Sequence, residues 1–133
     1  MRRIILLIFV LLAGKRGICG AYSGGTGTQN DPYRIQSVDD YKEIVSTSAD
    51  WGKCFVLLAD LDFTAAGEIA SIGTTAAYFT GTFDGNCRTI CGIDVDDTPD
   101  AVNHTAMFGV CGKGALVKNL TVMNAAVDGS APN

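Results

Sequence analysis

The stretch GNCRTICGIDVDD, residues 85–97, sets two cysteines four positions apart beside a run of carboxylates. Two readings compete for it: a metal or catalytic site, or one unit of a strand repeat. Its inner six residues decide. ICGIDV (90–95) aligns with LADLDF (58–63) and VKNLTV (117–122) on a shared pattern of apolar, variable, then Asp, Gly or Asn, then Leu or Ile, polar, and Phe or Val. Asp, Gly and Asn are the residues that best tolerate a left-handed backbone. Bends at Asp60, Gly92 and Asn119 would therefore let the apolar residue two positions earlier and the one directly after face one interior. The pattern assigns Leu58, Leu61 and Phe63, then Ile90, Ile93 and Val95, then Val117, Leu120 and Val122 to a repeating core. The variable position, occupied by Ala59, Cys91 and Lys118, goes to solvent, because a position that accepts lysine is rarely interior.

Leu61 to Ile93 is a step of 32 residues and Ile93 to Leu120 a step of 27. Strand-rich repeats of about 20–50 residues, each too small to bury its own core, stack into solenoids. Unequal steps are absorbed in loops. TFDGN (82–86) and MFGVCGKG (107–114) supply Phe-Gly corners ahead of the last two strands. The expected fold is all-β, a parallel β-helix of about three coils. One helix is expected, opening at Ser37: Ser37 and Asp40 form a capping-box pair, and Val38, Tyr41, Ile44 and Val45 recur at helical spacing. It is placed to cap the exposed core of the first coil. No matching cap follows Val122.

The chain opens with Met1-Arg2-Arg3 and an apolar run over 4–14, the layout of a secretory signal peptide. Eleven residues fall short of the roughly 20 that span a bilayer. Cleavage after Ala21 divides the chain into a signal peptide (1–21), an N-terminal lead-in segment with the capping helix (22–52) and the β-helix coils (53–133), which read as a fragment continuing into further coils or pairing with a partner. Export implies a secreted or cell-surface protein with no membrane attachment after cleavage. The whole chain carries a formal charge of −4, and removing Arg2, Arg3, Lys15 and Arg16 leaves six basic against fourteen acidic residues. That sign repels phosphate backbones and anionic lipid, which excludes nucleic acid as a partner class. Loss of Cys19 leaves Cys54, Cys87, Cys91 and Cys111. An even count permits two disulfides in three connectivities, and four free thiols behaving as small apolar groups are the alternative. Cys87 and Cys91 on one extended strand would lie about 13 Å apart, too far to pair with each other.

The runs YSGGTGTQNDPYRIQSVDDYKEI, FVLLADLDF, FTGTFDGNCRTICGIDV and AMFGVCGKGALVKNLTV together resemble the N-terminal part of large secreted bacterial β-solenoid proteins with GLUG-type repeats. The resemblance covers residues 22–127. It implies a right-handed parallel β-helix in an adhesin-like protein on a bacterial surface or in its secretions. Two motifs depart from the family pattern: Gly-Leu-Val-Gly is represented by Met107-Phe108-Gly109-Val110, and the Gly-Asn-Gly-His turn by Gly85-Asn86-Cys87-Arg88. The family has no common chemistry, so the resemblance assigns no catalytic residue.

Four carboxylates, Asp94, Asp96, Asp97 and Asp100, are calcium candidates, since calcium takes six to eight oxygens. As an EF-hand loop the stretch fails, with Pro99 where a glycine is required and Thr105 where a bidentate glutamate is required. Zinc needs four close ligands, and Cys87 with Cys91 have only His104 to add. Asp60 and Asp62, two apart on a strand, sit about 6.6 Å apart on one face, inside the range of an inverting glycosidase pair. Their counterparts, Gly92 with Asp94 and Asn119 with Thr121, make them bend and solvent-face residues instead. Sequons at Asn103 and Asn119 matter only in a glycosylating host. The sequence thus points to an exported structural or adhesive module without catalytic residues or cofactor. Its expected partners are further coils of the same or a second chain, with glycans or surface proteins as ligands. A polysaccharide-binding or polysaccharide-degrading β-helix is the alternative.

Overall fold

The computed structural model describes residues 22–96 and 106–128. The segment 1–21 expected to be a signal peptide, and Asp97, Asp100, Asn103 and His104, lie outside the described residues. Most regular structure is strand: β1 (Tyr33–Ile35), β2 (Cys54–Leu57), β3 (Leu61–Asp62), β4 (Glu68–Ala70), β5 (Thr82–Cys91), β6 (Asp94–Asp96), β7 (Leu116–Met123) and β8 (Ala126–Asp128). One helix, α1 (Val38–Ser46), and a 3-10 turn, Ser48–Asp50, complete it. All pairings between these strands are parallel. In the larger sheet β1 pairs β2, β2 and β3 together flank one edge of β5, and β7 takes the other edge; in the smaller, β4, β6 and β8 follow in order.

Register puts apolar residues above one another. Tyr33, Phe55, Phe83 and Val117 form one column, Leu61, Ile90 and Val122 a second, and Ile69, Val95 and Val127 a third. Phe55, Phe83, Leu61, Ile90, Ile69 and Val95 are buried. Two single bridges, Ile72 with Phe108 and Phe79 with Cys111, extend the stacking through the connecting segments. Ring contacts knit the interior. Phe83 meets Tyr41 at 6.3 Å and Phe108 at 5.5 Å, both edge-on, an arrangement that suits the aromatic quadrupole.

These columns correct the register read from the sequence. Leu61 pairs with Ile90, not Ile93, and Ile90 with Val122, not Val117. Each of the upper two levels contains two left-handed points, and the sequence pattern matched the second of one level with the first of the next. In one level they are Asn86 with Cys87 inside β5, then Gly92 just after it; in the next they are Asn119 inside β7, then Asn124 just after it. At the first point β5 spends more residues than β7, which produces the register shift between Asp84 and Arg88. Gly85 sits in that bulge because an added Cβ would lie 2.5 Å from the Leu120 Cα. Asp60 does not adopt a left-handed backbone. Strand limits move too: residues 58–60 separate β2 from β3, Gly92 and Ile93 separate β5 from β6, and TFDGN lies within β5 rather than ahead of it.

The helix packs against β1 and β4. Ser37 caps α1 by accepting from the Asp40 N–H, and the Asp40 carboxylate accepts from the Ser37 and Gln36 N–H groups and from the Ser23 hydroxyl. Tyr41 and Ile44 are buried. Trp51 donates its indole N–H at 2.7 Å to the Ile44 carbonyl, which also accepts from the Thr47 N–H at the helix end. Its own carbonyl accepts from Thr80 and Gly81, joining the cap to the strand level above. Tyr22 packs on Tyr33 and Phe55 and donates to Asp50. Burial first, and the Asp50 carboxylate second, push its phenol pKa up.

Because Phe83 touches the cap and the upper levels together, Phe83→Ala is expected to cost about 3–5 kcal/mol in urea unfolding, the usual range for a buried Phe to Ala.

Candidate functional site

Of the residues singled out in sequence as metal candidates, Asp94, Asp96, Cys87 and Cys91 are among the described ones. Asp94 and Asp96 lie on β6, with Asp94 level with Glu68 and Ala126. Among the described residues no three His, Cys, Asp or Glu side chains gather closely enough to hold a metal ion. Cys54, Cys87, Cys91 and Cys111 stand as free thiols in this structure. Cys54 and Cys91 are half-buried, and Cys87 and Cys111 exposed. Cys91 accepts a long contact from the Asn124 amide at 3.7 Å.

The two carboxylates of LADLDF have separate structural work. Asp60 accepts from the Thr89 N–H of β5 at 2.8 Å. Asp62 accepts from the hydroxyl and N–H of Thr64, and those bonds hold its pKa below the usual carboxylate range. A glycosidase acid needs the opposite shift.

Asp60 belongs to a recurring corner. One level up, Asp84 of β5 accepts from the Asn86 N–H at 2.9 Å and from the Asn119 amide of β7 at 3.1 Å, and it pairs with Lys118 at 3.5 Å. Each carboxylate thus grips the strand above it: Asp60 holds β5, and Asp84 holds β7. Asn119, read from the sequence as a bend, is both a left-handed residue and the upper half of this clasp. The pairing of Lys118 with Asp84 has no local signature in the sequence, since the two meet only through the register of β5 with β7.

Two surfaces follow. On the outer face of the larger sheet a groove of about 330 Å³ is lined by Gln29, Pro32, Val56, Thr82, Asp84 and Lys118. At the end beyond β5, a second recess of about 350 Å³ is bordered by Met107, Phe108, Val117, Leu120 and Val122. Of the expected core, Leu61, Phe63, Ile90, Ile93 and Val95 are buried, and Leu58 and Leu120 are half-buried. Val117 and Val122 are 39% and 42% exposed, although they stand in register with the buried Phe83 and Ile90. Nothing lies above them among the described residues.

Acid tests the corner. The Asn86 N–H, and then Asn119 and Lys118, hold the Asp84 pKa below its ordinary value. A carboxylate shifted down in the folded state adds stability above the unfolded pKa of about 3.9 and loses it as pH falls through the lower folded value. Asp84→Asn removes that titration, so the variant is expected to lose less stability than the parent between about pH 5 and pH 3 in urea titrations. Equal losses would remove Asp84 from the account.

No family model matches the chain, and no solved structure matches it. It is similar to Halomucin of Haloquadratum walsbyi, 31% identical over 115 residues that cover 80% of this chain and 1% of that protein. It is likewise similar to a protein of Evansella cellulosilytica named as a Gly-rich membrane protein, 31% identical over 127 residues that cover 89% of this chain and 14% of that one. The chain therefore spans a small fraction of both relatives. Among the described residues no helix is long and apolar enough to cross a membrane.

Proposed function

We propose that the chain is an exported, non-catalytic structural or adhesive module of a larger surface- or membrane-associated protein, built as a right-handed parallel β-helix of about three coils with GLUG-type repeat character. The observation that carries this reading is the parallel ladder in which the same column of apolar residues recurs from β2 to β5 to β7, and again from β4 to β6 to β8. Connections that bring each successive strand back in parallel beside its predecessor are what a coiled solenoid requires. The two relatives carry the names of a mucin and of a membrane protein, and both are far longer than the matched segment. Those names support a place at the cell surface. The outer groove, with Gln29, Thr82, Asp84 and Lys118, is the surface such a module offers to glycans or surface proteins. Its mixed polar lining suits neutral ligands better than anionic ones, given the acidic balance of the chain.

An antibody raised against residues 22–133 is expected to label intact cells of the source organism, with the signal lost after external protease treatment. Labelling only after lysis would overturn the surface assignment.

A further inference from the structure

β7 ends the larger sheet with an edge that is unlike the opposite one. At the first level, the outer edge of β1 is already hydrogen-bonded, with the Ser23 N–H donating to the Arg34 carbonyl and the Arg34 N–H donating to the Gly24 carbonyl, and α1 packs beside it. β7 pairs with β5 along one edge and with no strand along the other among the described residues. It exposes Leu116, Val117, Val122 and Met123, and the recess bordered by Phe108, Leu120 and Val122 opens on the same end. Natural sheet edges meant to stay open are guarded by proline, inward-pointing charge or short length. β7 has eight residues, no proline, and one charge, Lys118, which Asp84 neutralises.

We infer that the β7 edge is a template for one further parallel strand built to the same pattern and supplied by continuing polypeptide. This rests on the stacked-coil reading above and adds a direction to it: the stack is closed at β1 and receives new coils at β7. A second copy joined head to tail would need the outer edge of β1, which Ser23 and Gly24 occupy. The relatives, of which the chain matches 14% and 1%, supply the length of chain that such growth requires. The arriving strand would carry apolar residues above Val117 and Val122 and a residue tolerant of left-handed backbone above Asn119. It would thereby cover the apolar recess.

The test is a chain in which residues 92–123 are repeated once directly after Met123, so that the first copy of 116–123 becomes interior. In hydrogen exchange, amides at Val117, Leu120 and Val122 of that copy are expected to exchange at least about tenfold more slowly than in the parent chain. Fast exchange there, with Phe83 and Ile90 still protected, overturns the template while leaving the stacked reading intact. Fast exchange at Phe83 and Ile90 in the parent chain overturns both. Protection of β7 in the parent chain through a concentration-dependent dimer shows that a second copy is the occupant and overturns the inference. A second measurement does not depend on the longer chain folding: a synthetic peptide of residues 114–128 added to the parent chain is expected to slow the same three amides, and a scrambled peptide to leave them unchanged. Equal effects of the two peptides count against the inference.

Discussion

Phe83 is the point through which the parts of this protein are held together. Its backbone sits between Phe55 below and Val117 above, and its ring touches Tyr41 of the helix and Phe108 of the connecting segment. The strands of such a stack are too short to bury a core singly. A large side chain at the shared column couples the helix, the sheet and the connecting segment in one contact set. Tyr41 extends the coupling to Phe63 at 5.2 Å, and Phe108 to Phe79 at the same distance.

The corners apply a different constraint. At the first corner the chain turns through left-handed backbone in β5 and β7, and its carboxylates satisfy donors of the level above, Thr89 for Asp60 and Asn119 for Asp84. These interactions are largely exposed, so each contributes modestly to stability. Their value lies in register: a strand displaced by one residue would bring the wrong face inward and leave these acceptors without their donors. Apolar columns and polar corners therefore specify the same alignment by independent means.

Much of this was legible in the sequence because it is local. The helix and its capping box could be read from Ser37, Asp40, Tyr41 and Ile44, since a cap and a helical stripe involve residues a few positions apart. The strand-rich texture, the inward Ile90, Ile93 and Val95, and the bends at Gly92 and Asn119 were also local signals. The register was not. It depends on how many residues each level spends at its first bend, and Gly85-Asn86-Cys87 in one level is answered by Asn119 alone in the next. A pattern that expected one bend per level had no means of telling the two apart. The clasp between Asp84 and Asn119 was hidden for the same reason, as partners 35 residues apart become neighbours only once the levels are aligned. Val117 and Val122 had the right chemistry for a core, but burial there depends on what lies above β7, which no local signal reports.

In-register parallel stacking is the central claim, and a cross-link between levels tests it most directly. Cys54 stands level with Thr82 on the adjacent strand, and neighbouring strands lie about 4.8 Å apart, within the range a disulfide spans. With Cys19, Cys87, Cys91 and Cys111 replaced by serine, Thr82→Cys is expected to form an intramolecular disulfide with Cys54 under mild oxidation, while the same cysteine placed at Thr89 leaves Cys54 reduced. A protein that links Cys54 to position 89, or to neither, contradicts the register and with it the stacked architecture.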